Sequence, residues 1–138
     1  RKKVSEFFNN KEIERVIFTK NCSEALNVAI HGILKEGDHV ITTCFEHNSV
    51  LRPLFTLESI GKISLTVVYP ENENFITKND IEKVLTDKTK LVIVNHISNV
   101  TGIVNDVKGI GEFLKDKKVI FMVDGAQSAG HVKIDRQT

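Results

Sequence analysis

The most informative segment of this chain is Val119-Ile120-Phe121-Met122-Val123-Asp124-Gly125-Ala126-Gln127-Ser128-Ala129-Gly130-His131. Its unbroken apolar run is typical of a strand that is buried on both faces of a parallel sheet. The run stops at Asp124, and small residues and an amide follow. Because ligands of open α/β sheets bind at the carboxyl ends of the strands, this carboxylate is placed to meet a cationic group. The plainer interpretation is that Asp124 caps the turn after the strand.

Length and composition limit the classes of protein that the sequence can represent. The chain has 138 residues, 41% of them hydrophobic and 27% charged, with a net charge of +1, which predicts one folded domain. The balanced charge and the lack of a long apolar stretch predict neither nucleic-acid nor membrane binding. Cys22 and Cys44 form no disulfide or metal-binding pattern, so we expect a cytoplasmic protein without a metal. Since the sequence starts at Arg1 and lacks a closing element, we expect it to be a piece of a longer protein.

Apolar periodicity predicts strands that alternate with helices along the whole chain. Strands are predicted over residues 14–19, 39–43, 63–69, 90–94 and 119–123, and a further strand begins over 131–134. Helices are predicted over 1–10, from the capping pattern at Asn21 to Gly37, from Asn48 to Gly61, over 77–85 and over 107–114. This order predicts a three-layer α/β fold in which helices cover both faces of a parallel-rich, mixed sheet.

Two of the predicted strand-to-helix turns carry polar side chains that suit a ligand. The turn at Thr19–Ser23 lies at a helix N-terminus, where free backbone N–H groups favour an anion and the Ser23 hydroxyl adds a donor. It lacks a glycine-rich nucleotide pattern, so a single phosphate fits better, although an ordinary helix cap explains it too. The next turn contains His47, which can stack on an aromatic ring or move a proton, or can be a surface histidine.

Two further turns complete the polar set. Asn99 offers an amide, although an Asx turn before Gly102 also explains it, and Asp124 is followed by Gln127. Together the four turns provide an anion site, a stackable ring, two amides and a carboxylate. This set matches pyridoxal 5'-phosphate, whose phosphate suits a helix N-terminus and whose pyridine nitrogen needs a carboxylate to stay protonated.

Four motifs in one order resemble the cysteine desulfurase family, the class V aminotransferase group of fold-type I pyridoxal-phosphate enzymes. They are Phe18-Thr-Lys-Asn-Cys-Ser-Glu-Ala-Leu-Asn27, Glu46-His-Asn-Ser-Val-Leu-Arg-Pro53, Ser98-Asn-Val-Thr-Gly102 and Val123-Asp-Gly-Ala-Gln-Ser-Ala-Gly-His131. The resemblance covers nearly the whole chain. It implies that residues 1–138 are part of the large cofactor-binding domain of such an enzyme.

The resemblance also implies a role for each predicted site residue. The Cys22 backbone and the Ser23 hydroxyl, where the family more often has Thr, would hold the cofactor phosphate. His47 would stack on the ring and shuttle a proton, and Asp124 would pair with the pyridine nitrogen. Asn99 and Gln127 would approach the phenolic oxygen of the ring.

Three functional residues of the family fall outside these 138 residues. They are the Schiff-base lysine, the cysteine that takes the substrate sulfur and the arginine that binds the substrate carboxylate. Cys22 and Cys44 do not replace that cysteine, and we expect both to be small buried residues. The chain alone would therefore be inactive.

The resemblance predicts that the parent protein is a homodimer that converts L-cysteine to L-alanine and can pass sulfur to an acceptor protein. A selenocysteine or cysteine-sulfinate lyase, or an aminotransferase, remains an alternative because its cofactor residues would be nearly the same. An alternative of another class is a non-catalytic α/β binding or interaction domain, since the chain lacks the lysine. A flavodoxin-like or Rossmann-like nucleotide domain is disfavoured by the missing glycine fingerprint.

Overall fold

The computed structural model describes residues 1–71 and 73–132, which form a four-stranded sheet with helices on both faces. The strands are β1 (Asp38–Thr43), β2 (Ile63–Val68), β3 (Thr89–Asn95) and β4 (Ile120–Asp124). Their order across the sheet is β2-β1-β3-β4, and every neighbouring pair is parallel. The predicted α/β class and parallel arrangement are therefore confirmed.

Five α-helices lie between these strands or before them. They are α1 (Lys2–Phe7), α2 (Cys22–Ile33), α3 (Asn48–Ser59), α4 (Lys78–Glu82) and α5 (Val107–Leu114), and a short 3-10 helix spans Ile13–Arg15. The predicted end of α3 is confirmed, because Gly61 has a φ of +72° and the N–H groups of Gly61 and Lys62 bond to the carbonyls of Glu58 and Leu57. No helix of the described residues is long and apolar enough to cross a membrane.

The core lies in two layers because neighbouring residues of a strand point to opposite faces of the sheet. Val40, Leu91 and Ile93 pack with the buried side chains of α2 and α3 on one face. Ile41, Val92 and Val94 pack with α4 and α5 on the other face. Each strand therefore ends between two helical layers, and the turns that leave β1, β3 and β4 lie at the same edge.

The prediction of a strand over residues 14–19 is wrong. The segment contains the 3-10 helix Ile13–Arg15 and continues without pairing to any described strand. Ile17 and Phe18 are 77% and 63% exposed. An apolar alternation becomes a strand only when a neighbouring chain accepts its backbone hydrogen bonds, and no described segment lies beside it.

The prediction that residues 119–123 are buried on both faces is also wrong. The strand forms as β4, but Ile120 and Val123 are 39% and 38% exposed because β4 is an edge of the described sheet. Within the described residues the two central strands are the most buried: Leu91 to Val94 of β3 and Val40 to Thr43 of β1 are all inaccessible. Of the strand predicted over 131–134, residues 133 and 134 lie outside the described residues.

Candidate functional site

A cavity of about 210 Å³ opens at the carboxyl edge of the sheet. All six predicted site residues line it, namely Cys22, Ser23, His47, Asn99, Asp124 and Gln127. Leu26, Ser49, Asn95, Ile97 and Ala126 complete its wall. The volume is below the roughly 300 Å³ at which pockets for drug-sized ligands begin, so the cavity suits one small molecule.

The N-terminus of α2 forms one side of this cavity. The Asn21 side chain caps the helix by accepting the N–H of Glu24 at 2.9 Å, and the Glu24 carboxylate accepts the N–H of Lys20 at 2.6 Å. The first turn closes when the N–H of Ala25 bonds to the carbonyl of Asn21 at 3.2 Å. The N–H groups of Cys22 and Ser23 precede that bond, so they are available to an anion at the positive end of the helix dipole.

Ser49 joins the histidine of the cavity to the serine of the α2 N-terminus. The hydroxyls of Ser23 and Ser49 are 2.6 Å apart, and the Ser49 hydroxyl is 2.9 Å from Nδ1 of His47. The Ser49 backbone N–H also donates to Nδ1 of His47 at 3.1 Å, which caps α3. Because Nδ1 accepts this bond, the neutral imidazole carries its proton on Nε2.

A proline in α3 adds a second link between the two helices that border the cavity. Pro53 has no N–H, so it cannot bond to the carbonyl of Ser49 four residues before it. That carbonyl instead accepts the side-chain amide of Asn27 at 3.4 Å. The same amide bonds to the carbonyl of Ser23 at 2.8 Å. Asn27 therefore ties the turn that holds Ser49 to the first turn of α2.

Asp124 forms another part of the cavity wall, at the end of β4. The residue is only 8% exposed, and its Oδ1 accepts the N–H of Ala126 at 2.9 Å. The Cys22 thiol lies 3.6 Å from the same oxygen. Burial and the neighbouring Asp124 carboxylate raise the pKa of Cys22, so the residue is a neutral thiol at pH 7. Asp124 is the one acidic side chain among the described residues that line the cavity.

The expectation that both cysteines are buried is wrong. Cys22 is exposed and Cys44 is half-buried. Cys22 is exposed because the first residue of α2 faces the open cavity rather than the core beneath the helix. Burial is also the main reason that the pKa of the Cys44 thiol is raised. Neither thiol is activated, since a reactive cysteine needs a lowered pKa.

Asn99 and Gln127 lie at the mouth of the cavity, and both are exposed. Asn99 belongs to a tight turn. An antiparallel bridge between Ile97 and Val104 closes this turn, and within it the N–H of Gly102 donates to the carbonyl of Ser98 at 2.9 Å. Among the described residues, neither amide side chain has a hydrogen-bond partner. Both amides are therefore free to bind a ligand.

The sequence interpretation did not identify two polar residues of this region, Ser49 and Glu46. Ser49 follows His47 by two residues, and that spacing at a helix start is a sequence signal of a side-chain cap. Glu46 is 7% exposed beneath the cavity, and burial raises its pKa to about 7. No sequence pattern separates a buried glutamate in a turn from a solvated one.

A second and larger hollow of about 590 Å³ lies beside the cavity, between α2 and α3. His47 and Ser49 border both spaces, and Arg52 and His31 lie on the outer wall. No carboxylate lines this hollow. The smaller cavity alone combines an anion site with a buried carboxylate, and so it alone suits a ligand that has a negative and a positive end.

Known proteins resemble this chain in sequence and in fold. The sequence matches the class-V aminotransferase family along residues 1–138. It is 38% identical to a probable cysteine desulfurase of Pyrococcus abyssi, over 98% of this chain and 34% of that protein. The chain therefore spans about a third of the length of the curated relatives that it matches.

Solved structures share the fold. The apo structure of the cysteine desulfurase from Thermococcus onnurineus NA1 is similar with a TM-score of 0.86 and 37% identity, over 99% of this chain and 34% of that one. A structure described as SspA in complex with cysteine has a TM-score of 0.87 and 29% identity, over 96% of this chain and 39% of that one.

Proposed function

The chain belongs to the class-V aminotransferase family, and from this premise we propose that it is the cofactor-binding part of a pyridoxal 5'-phosphate-dependent cysteine desulfurase. Residues 1–138 would form part of the large domain of that enzyme. The parent protein would convert L-cysteine to L-alanine and transfer the sulfur to one of its own cysteines. The observation that carries the proposal is the cavity whose wall contains both the N-terminus of α2 and the buried Asp124 carboxylate.

The donors of the cavity fit the cofactor at both ends. The phosphate would bind to the N–H groups of Cys22 and Ser23 and to the Ser23 hydroxyl, which the Ser49 hydroxyl orients from 2.6 Å. The pyridine nitrogen would bind to Asp124, whose charge keeps that nitrogen protonated. The N–H of Ala126 holds Oδ1 of Asp124, so the carboxylate keeps its orientation without a ligand. When bound, the cofactor would supply delocalisation of negative charge at the substrate α-carbon.

His47 would lie over the ring of the cofactor and hold a mobile proton. Its Nδ1 is occupied by the N–H of Ser49, so Nε2 is the nitrogen that can donate or accept a proton at a reacting group. The same bond fixes the plane of the imidazole, which favours stacking. The amides of Asn99 and Gln127 would donate to the phenolic oxygen of the ring from the mouth of the cavity.

The proposed substrate and partners follow from the relatives. Two of the similar proteins carry the name cysteine desulfurase, and a third was solved in complex with cysteine, which supports L-cysteine as the substrate. We further propose that the parent protein is a homodimer that can deliver sulfur to an acceptor protein. A cytoplasmic location suits Cys22 and Cys44, which are both free thiols.

The test uses the full-length parent protein purified with and without pyridoxal 5'-phosphate. We expect a visible absorption band of bound cofactor, and we expect L-alanine and sulfide in equal amounts when L-cysteine and a reductant are added. Cofactor binding without alanine from L-cysteine would contradict the desulfurase assignment and favour another class-V reaction. A protein that does not bind the cofactor would contradict the whole proposal.

A further inference from the structure

A buried glutamate lies under the cavity, where none of the proposed cofactor contacts involve it. Oε1 of Glu46 accepts the hydroxyl of Thr43 at 2.7 Å and the backbone N–H of Asn95 at 2.8 Å. Oε2 of Glu46 is buried and has no hydrogen-bond partner. Oε1 therefore accepts two hydrogen bonds, whereas Oε2 has no hydrogen-bond partner. Burying an unpaired polar atom in this way costs about 1–3 kcal/mol.

These bonds connect the two turns that carry the main polar groups of the cavity. The side-chain amide of Asn95 bonds to the carbonyl of Phe45 at 2.5 Å, so Asn95 holds the β1–α3 turn through two contacts. His47 directly follows Glu46 in that turn. Asn95 is also the register partner of Asp124 in the pairing of β3 with β4. Glu46 thus joins the segment of His47 to the strand end beside Asp124.

A network behind Asn95 makes this connection rigid. The side-chain amide of Asn105 bonds to both the carbonyl and the Oδ1 of Asn95 at 2.9 Å. Oδ1 of Asn105 in turn accepts the N–H of Ile76 at 2.9 Å. Both asparagines are at most 3% exposed. Asn95 is therefore held from below, so a change at Glu46 acts on the His47 turn rather than on β3.

The charges around Glu46 favour its neutral form. Burial raises the pKa of Glu46 to about 7, the Asp124 carboxylate adds to that rise, and the hydrogen bonds from Thr43 and Asn95 oppose it. The other titratable groups near this turn are the Cys44 thiol, the His47 ring and His96 after β3. No described lysine or arginine forms an ion pair with Glu46.

We propose that Glu46 is a positioning residue of the cofactor site, which as a neutral carboxylic acid holds His47 in the cavity wall that also contains Asp124. Loss of its proton would place a second buried negative charge near Asp124 and leave the buried, charged Oε2 without a donor. The β1–α3 turn would then loosen, and the cofactor would be held less tightly. The inference rests on the proposed function, because it concerns the same cavity.

The test compares pH profiles of cofactor affinity in the full-length protein. The dissociation constant of pyridoxal 5'-phosphate is measured by absorbance from pH 6 to pH 9 for the wild type, for Glu46→Gln and for Glu58→Gln. Glu58 is an exposed glutamate on α3, so its variant controls for the loss of one charge. As the pH rises through 7, the cofactor affinity of the wild type and of Glu58→Gln should fall about tenfold more than that of Glu46→Gln. This factor corresponds to ~1.4 kcal/mol of binding free energy.

A second variant separates positioning from simple structural support. Thr43→Val removes a donor that stabilises the Glu46 carboxylate, so we expect the midpoint of the wild-type profile to move to higher pH. Infrared difference spectra of the cofactor-free protein provide an independent readout. A buried carboxylic acid band should disappear above pH 7 in the wild type and be absent at every pH in Glu46→Gln.

Each outcome decides one of the two proposals. A wild type that binds the cofactor with the same pH profile as Glu46→Gln would overturn the role of Glu46 and leave the proposed function intact. A carboxylic acid band that disappears well below pH 6 in the wild type would also overturn the role of Glu46. This result does not depend on whether Glu46→Gln folds. A wild type that does not bind the cofactor at any pH would contradict the proposed function, and the infrared band alone would then test the protonation of Glu46.

Discussion

The two ends of strand β1 carry one histidine each, and the two side chains are used in opposite ways. At the amino end, the His39 ring is 7% exposed, and its Nδ1 and Nε2 lie 2.8 and 2.9 Å from the hydroxyls of Thr89 and Thr66. Just past the carboxyl end, the His47 ring is exposed, and only Nδ1 has partners among the described residues. The first histidine is satisfied within the fold, whereas the second keeps one nitrogen for a ligand.

The difference extends to the two edges of the sheet. At the amino edge, the polar groups around His39 bond to one another, so they stabilise the fold. At the carboxyl edge, α2 begins with the available N–H groups of Cys22 and Ser23, and β4 ends in Asp124, which lines the same cavity. We therefore expect substitutions at the carboxyl edge to alter cofactor binding or turnover, and substitutions at the amino edge to alter stability.

The largest expected effect is that of Asp124→Ala at the carboxyl edge. Turnover of L-cysteine by the full-length protein should fall at least about 10²-fold, because one preorganised charge is lost at the reacting centre. Asp124→Asn keeps an acceptor for the N–H of Ala126 but not the charge, so it should lose a similar amount. Steady-state kinetics check both variants, and activity retained in Asp124→Asn would show that the charge is not required.

The next effect belongs to the amino edge. His39→Ala leaves the hydroxyls of Thr66 and Thr89 without this partner and opens a cavity, so the free energy of unfolding should fall by about 2 kcal/mol. His31, which is exposed on α2, is the matched control, and His31→Ala should change the free energy of unfolding by less than about 0.5 kcal/mol. Urea denaturation measures both, and a weaker cofactor affinity in folded His39→Ala would contradict the separation of the two edges.

A smaller effect is expected when His47 is replaced. His47→Phe keeps a stackable ring and loses the cap of α3, whereas His47→Asn keeps a capping acceptor and loses the ring. The dissociation constant of the cofactor should rise about threefold to tenfold in His47→Asn, as expected for the loss of one stacking contact. The dissociation constant should change less in His47→Phe. This variant should instead lose about 1 kcal/mol of unfolding free energy, because the cap of α3 is missing. Equal cofactor affinities in both variants would remove stacking from the role of His47.

The smallest expected effect is a difference in pH dependence between the ends of β1. Burial lowers the pKa of His39, so below pH 6.5 the unfolded chain binds a proton on this ring more readily than the folded chain does. The stability of the folded chain therefore falls as the pH decreases. Burial raises the pKa of Glu46 to about 7, so its contribution is complete below about pH 4.5 and is lost as the pH rises to 7. Urea denaturation between about pH 4.5 and about pH 8 gives the slope of the unfolding free energy against pH. The contribution of His39 to this slope should be absent in His39→Gln, and the opposite contribution of Glu46 should be absent in Glu46→Gln. Slopes of the same sign would contradict this assignment.

Most of the fold could be predicted because its signals are local. The capping residue Asn21, the glycine after α3 and the apolar run of β3 each act within a few residues. The two wrong predictions, a strand at residues 14–19 and a fully buried β4, concern segments whose state depends on a neighbour. An apolar run indicates what could be buried, but only the sheet order determines which strand lies at the edge.

The lining of the cavity could be predicted where a residue type has few uses at a strand end, as for His47 and Asp124, and their roles stay predictions. Ser49 and Glu46 could not, because serine and glutamate are common in turns and their importance comes from their contacts. The exposure of Cys22 was missed for the same reason, since a cavity wall is formed by segments that are distant in the chain.

The amino-acid sequence by itself determined the alternation of strands and helices, the caps of the helices and the set of polar residues that follow the strands. Periodicity and capping are properties of neighbouring residues, so a chain met without its fold already displays them. Only the tertiary structure decided that six of those residues share one cavity and that Glu46 lies buried beneath it. Distances between separate turns, and the burial that shifts a pKa, exist only after the sheet has brought the strand ends together.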